Sequence, residues 1–95
     1  MRPFTQADVL ARILRVLAQE SRLRIIELLR ERSLCVNALA RELGITPAAV
    51  SQHLRVLKDA GIVVGDKQGY FVHYHLDADF LGKWGEQIKR FLAPD

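Results

Sequence analysis

Thr46–Gly61, TPAAVSQHLRVLKDAG, decides the reading of this chain, because it carries the start, the aim and the stop of one helix. The Thr46 hydroxyl is suited to accept from the free N–H groups of a first turn, and Pro47 falls where a missing N–H costs nothing. Val50, Leu54 and Leu57 recur at four- and three-residue spacing and so form one apolar stripe. Gly61 stops the helix. At about 100° per residue, Ala48, Gln52 and Arg55 fall opposite that stripe, with Ser51 and Lys58 on its flank. The outward face is therefore small, polar and basic, unlike the Glu/Lys mixture of a merely solvated helix. His53 lies about 60° from the centre of the stripe. That leaves it two uses, bracing the helix or touching phosphate at its edge.

The preceding residues fit a partner helix. Asn37–Leu43, NALAREL, reads as a short helix capped by Asn37, and Gly44-Ile45 as a tight connection to Thr46. Ala40, Gly44 and Val50 stand where a helix-turn-helix needs them. A small residue lets two helices cross closely, glycine accepts the positive φ of the turn, and a branched residue packs the second helix on the first. The plain alternative, a helical hairpin in a small core, does not account for the agreement of caps, turn glycine and polar outer face.

Ninety-five residues make one domain, 1–95, with room for a single modest core. With 49% hydrophobic and 26% charged residues, the composition is that of a soluble globular chain. No stretch has the length of a membrane span, and MRPFTQADV lacks the apolar run of a signal peptide. A single cysteine excludes an internal disulfide framework, so a cytoplasmic location is expected. The net charge of +3 suits a polyanionic partner without proving one.

Upstream, Asp8–Ala18 places Val9, Leu10, Ile13, Leu14, Val16 and Leu17 in an apolar band wider than one face of a surface helix needs. Glu20–Arg32 is a second helix, with Ser21 as its cap, Leu23, Ile26 and Leu29 inward, and its Arg/Glu residues on a solvated, ion-paired face. Ser33–Val36 is short and apolar, a brief strand leading into the motif. No repeat, linker or low-complexity segment interrupts the chain.

After Gly61 the period changes from helical to alternating. Ile62–Gly65 and Tyr70–Leu76 read as two strands joined by a turn at Asp66–Gly69. Tyr70, Val72, Tyr74 and Leu76 share one face, and Phe71, His73 and His75 the other. A helix-turn-helix followed by a β-hairpin is a winged helix, mainly α with a small β-hairpin wing. Lys67 and Gln68 at the tip are placed for phosphate or a minor groove, the alternative being an exposed, merely soluble turn. Asp77-Ala78-Asp79 then caps a last helix, Phe80–Leu92, in which Phe80, Trp84, Ile88 and Phe91 form an aromatic-rich stripe beside Leu81. Paired with Leu10, Ile13, Leu14 and Leu17 of the first helix, this stripe is the expected dimer interface, since two-fold symmetry also suits a motif that reads two half-sites.

The run LCVNALARELGITPAAVSQHLRVLKDAGIVVGDKQGYFVHYHL, with the upstream LAQESRLRI, resembles the ArsR/SmtB family of small winged-helix repressors. The likeness covers about residues 10 to 77. It implies a homodimer that binds double-stranded operator DNA and is released by an effector. The family's thiolate site places two cysteines, Cys-x-Cys, at the start of the first motif helix; this chain has Cys35, with Asn37 in the second position. A second family site uses carboxylate and histidine ligands on the last helix, and Phe80–Pro94 contains no histidine. Neither site carries over, so no metal and no cofactor is expected, and Cys35 stands as a redox or effector candidate only.

The expected function is a sequence-specific DNA-binding regulator, an effector-responsive dimeric repressor. Ser51, Gln52 and Arg55 face the major groove, Gln being suited to adenine and Arg to guanine or phosphate. Thr46, Pro47 and Ala48 offer a phosphate seat at the helix N-terminus. His53, Lys58, Lys67 and Gln68 complete the expected DNA-contacting set. A winged helix used for protein contacts is the alternative, and would call for an apolar or acidic outer face. An enzyme is not expected, for no nucleophile–base–acid constellation or phosphate-binding glycine loop is present. The effector class stays open among an organic ligand, a thiol-directed oxidant and a metalloid.

Overall fold

The computed structural model describes residues 1–93, so the last two positions of the expected domain lie outside the described residues. Five helices and one hairpin follow in the order α1 (Gln6–Leu17), α2 (Glu20–Glu31), α3 (Val36–Leu43), α4 (Pro47–Asp59), β1 (Val63–Gln68), β2 (Phe71–Leu76) and α5 (Ala78–Leu92).

Helix α1 starts two residues before the expected Asp8, because Thr5 rather than Asp8 ends the extended backbone. The Thr5 hydroxyl accepts from the Ala7 N–H at 3.2 Å, while the Asp8 carboxylate accepts from the Thr5 N–H at 2.8 Å. That backbone bond, with the Arg2 guanidinium at 2.7 Å, holds the Asp8 carboxyl below its ordinary pKa. In α2 the cap position belongs to Gln19, without a side-chain bond, and Ser21 lies inside the helix. Ile25, Ile26 and Leu29 are its buried residues. Leu23, expected inward, is 52% exposed because it overhangs a groove that no other part of the described chain fills.

The expected strand at Ser33–Val36 is reduced to one bridge. The Leu34 N–H donates to the Tyr74 carbonyl at 3.1 Å and the Tyr74 N–H donates back at 2.9 Å. This pairing leaves Cys35 extended, at φ −85° and ψ 169°, so the helix begins at Val36 with Cys35, not Asn37, in the cap position. Asn37 sits exposed in the first turn. The motif's turn is as expected: Gly44 has φ +68° and its N–H donates to the Ala40 carbonyl at 2.9 Å. Ala40 and Val50 are buried against each other's helices. At the start of α4 the Thr46 hydroxyl accepts from the Ala49 N–H at 3.1 Å, with Pro47 at the first helical position.

The hairpin is longer and its turn tighter than the sequence reading. Gln68 pairs with Phe71, so only Gly69 and Tyr70 form the loop, and Gly69 has φ +64°. Glycine with positive φ at the first of two loop positions matches the twist of the strands, whereas a four-residue loop at Asp66–Gly69 would forfeit the cross-strand pairs of Asp66, Lys67 and Gln68. Asp77 caps α5, its carboxylate accepting from the Phe80 N–H at 3.1 Å, so the helix starts at Ala78 rather than Phe80.

Ile25, Leu39, Val50, Leu54, Leu57, Ile62 and Val63 form the dry centre, and no polar or charged residue is buried among the described residues. No helix among them is long and apolar enough to cross a membrane. The chain measures 47 × 25 × 20 Å with a radius of gyration of 14.8 Å. A compact chain of this length has a radius of about 12 Å. Helices α1 and α5 lie against each other, and α5 also leaves a groove of about 460 Å³ between itself and α2.

Candidate nucleic-acid interface

The stripe of Val50, Leu54 and Leu57 anchors α4 to the core, which fixes what the helix shows outside. Thr46, Pro47, Ala48, Ser51, Gln52, Arg55 and Lys58 are all exposed on that outer side. Neither Arg55 nor Lys58 has an ion-pair partner among the described residues. The result is a helix fixed from behind whose polar and cationic groups, apart from the capping Thr46 hydroxyl, are uncommitted, a state that suits readout of base edges and phosphates.

His53 is not on this face. It is half-buried, and its Nδ1 accepts from the Arg22 Nε–H at 3.2 Å. Burial first, and then the Arg22 charge, push its pKa below the ordinary histidine value, so the ring is neutral near pH 7. The same guanidinium donates through Nη1 to the carbonyls of Val16 at 3.1 Å and Arg15 at 3.4 Å. Of the two uses open to His53, the geometry is that of a brace. Arg22 was missed because an arginine among the charges of α2 reads as solvated; nothing local in the sequence marks its partner, which is 31 residues away.

Two hollows flank α4. One, of about 350 Å³, is lined by Ser51, Arg55, Lys58, Asp59 and, from the base of the wing, Tyr74. The other, of about 460 Å³, lies between α3 and the start of α4 and is lined by Asn37, Arg41, Gly44 and Pro47. Asn37 and Arg41 thus join the outer surface beside the α4 N-terminus, a place the sequence reading gave to Thr46, Pro47 and Ala48 alone. Lys67 and Gln68 are exposed at the wing, as is Tyr70, which the longer expected turn had placed inside a strand.

Cys35 and the two wing histidines, His73 and His75, fall elsewhere. Cys35 is a free, half-buried thiol ahead of α3. His75 Nδ1 lies 3.1 Å from an Asp66 carboxylate oxygen, while His73 is half-buried and its Nδ1 has no partner among the described residues. Among the described residues no group of three or more His, Cys, Asp or Glu is arranged to hold a metal ion.

The expected dimer residues divide by depth. Leu10, Ile13 and Trp84 are already buried within the single chain, at 7%, 4% and 9% exposure, so their packing is spent inside the protomer. Leu17, Leu81 and Ile88 are half-buried along the groove between α2 and α5. Leu14, Phe80 and Phe91 remain exposed, joined by Leu23, which the sequence reading had turned inward. Phe80 has a second contact: its ring covers Gly61, where an added Cβ would lie 3.1 Å from Cε2. Its centroid is 6.0 Å from that of Trp84. Helix α5 is thereby keyed to the end of α4.

Residues 19–64 match the model of a family described as bacterial regulatory protein, arsR family. The HTH-type transcriptional repressor SmtB of Mycobacterium tuberculosis is 42% identical over 69 residues, covering 73% of this chain and 51% of that protein. The HTH-type transcriptional regulator CmtR of Mycobacterium bovis is 38% identical over 89 residues, covering 93% of this chain and 75% of that protein. Among solved structures, a homodimeric winged helix-turn-helix DNA-binding domain from Mycobacterium bovis, described as a possible ArsR-family transcriptional regulator, superposes with a TM-score of 0.69. It is 25% identical, and the match covers 100% of this chain and 94% of that one. The chain spans about half the length of SmtB.

Proposed function

The chain belongs to the arsR family of bacterial regulatory proteins, and on that premise we propose that it is a sequence-specific transcriptional repressor that binds operator DNA as a homodimer and responds to an effector. The observation that carries this is the outer face of α4, where Ser51, Gln52 and Arg55 stand exposed on a helix fixed from behind by three buried residues. Gln52 suits adenine and Arg55 suits guanine in the major groove. Thr46 and the α4 N-terminus, with Arg41 and Lys58 at either side, would take flanking phosphates. Such a role places the protein in the cytoplasm with the chromosome, and the family is one of regulators. A protein-docking use of the same helix would need an apolar or acidic face, which α4 does not present.

The homodimer is supported by three features: the elongated chain, the exposed Leu14, Leu23 and Phe91, and the groove beside α5. An apolar groove of that size favours a second copy, and a two-fold axis would set two α4 helices on successive half-sites about 34 Å apart. The test is selection of duplexes from a randomised pool followed by footprinting. A palindromic site with half-sites about 10 base pairs apart is expected. Recovery of no shared sequence would defeat the proposal.

A further inference from the structure

The wing ends in an aromatic tip. Tyr70, second of the two loop residues, is 101% exposed, so its ring touches nothing among the described residues. Phe71 is 54% exposed and Val72 39%. The fold does not ask for this: in a two-residue loop that opens with Gly69, a small polar residue satisfies the second position. Nor is the tip built for charge. Lys67 is its one cation, and Asp66 faces His75. A wing meant only to hold phosphate would be basic. This one is nearly neutral and apolar.

The base of the wing and the outer face of α4 share the hollow lined by Ser51, Arg55, Lys58 and Tyr74. A duplex lying along α4 therefore continues towards the wing, and the tip meets it beyond the base pairs that α4 reads. We propose that Tyr70, flanked by Phe71, acts as a wedge in the minor groove outside the α4 footprint, and sets a sequence preference there through the deformability of the DNA. This rests on the DNA-binding reading above.

An apolar side chain pressed against a base step partly unstacks it. The cost is lowest at pyrimidine–purine steps such as TA and CA, and higher in stiff or G·C-rich DNA. Preference then arises without hydrogen bonds to bases. Because the contact is non-ionic it also leaves the salt dependence alone, unlike a lysine on phosphate.

The experiment uses a duplex that the wild-type protein selects from a randomised pool, resynthesised with TA steps or with G·C-rich sequence outside the half-sites. The wild type is expected to bind the TA-flanked duplex about tenfold more tightly, the size of one lost aromatic–base contact. Tyr70→Ser should bind both duplexes equally, with the salt slope and melting temperature of the wild type, and Tyr70→Phe should keep the preference. Equal binding of both duplexes by the wild type, or an unaltered preference in Tyr70→Ser, overturns the inference. If Gln52→Ala still weakens binding in either case, only the wedge has failed. If Gln52→Ala and Tyr70→Ser both bind as the wild type does, the DNA-reading assignment of α4 fails together with it.

Discussion

Arg22 and His53, on α2 and α4, are joined by a hydrogen bond of 3.2 Å that also reaches α1, because the same guanidinium donates to the Val16 and Arg15 carbonyls. One side chain thus closes the C-terminal end of a helix offered for dimer contacts and props the helix offered for DNA. Removing it leaves an imidazole nitrogen and two helix-end carbonyls without a donor. Arg22→Ala is expected to cost about 1–2 kcal/mol, several degrees in melting temperature for a domain of this size. An unchanged melting curve would show that water replaces the bonds at no cost.

The bond needs an unprotonated Nδ1, which gives it a pH dependence. Folding lowers the His53 pKa, through burial and then through Arg22, so the unfolded chain takes up the proton first as pH falls. The contribution to stability is complete above roughly pH 6.5, the ordinary histidine value, and is lost as pH falls through the folded value. His53→Gln keeps an acceptor without a titration. The difference in melting temperature between wild type and His53→Gln should shift against the wild type between about pH 7.5 and 5.5. A difference that stays constant with pH would count against the brace.

Gln52→Ala and Arg55→Ala should each weaken operator binding by about 1–3 kcal/mol and relax the choice of base at one position. Lys67→Ala should weaken all sequences alike and lower the salt slope by about 1, as a phosphate contact does. Gel shifts across a salt series separate the two behaviours.

Gly61→Ala tests the contact between α4 and α5. At φ +91° an L-residue is strained, and the new Cβ would press on the Phe80 ring at 3.1 Å. A loss of about 1–3 kcal/mol in denaturant unfolding is expected. Gly82→Ala is the control: the position is helical and open, so the same change should stabilise the isolated chain by about 1 kcal/mol.

Dimerisation should respond to the exposed apolar residues and not to the buried ones. Leu14→Glu with Leu23→Glu, at 43% and 52% exposure, should give folded monomers in sedimentation. Trp84→Ala should instead cost about 3–5 kcal/mol of fold stability, because it empties space inside the protomer. A double variant that still sediments as a dimer would move the interface elsewhere.

The sequence alone determined α4. Its cap, its stripe and its stop are all set by residues within one turn of the feature they control, so the outward set of Ser51, Gln52 and Arg55 followed from 3.6-residue geometry. The same holds for the Gly44 turn and the crossing at Ala40. Tertiary structure decided where a side chain had two faces to choose from. Leu23 and Leu10 are both apolar and both at helical spacing, yet one overhangs a groove and the other is buried, because that depends on which helix lies opposite. The register of the wing was decided by pairing, Gln68 with Phe71, which put Tyr70 at the tip. The Cys35 cap was set by the Leu34–Tyr74 bridge, 40 residues apart in sequence. Arg22 and His53 met for the same reason. A long-range hydrogen bond leaves no periodic trace, since its partners answer to the packing of whole helices and not to their own neighbours in the chain.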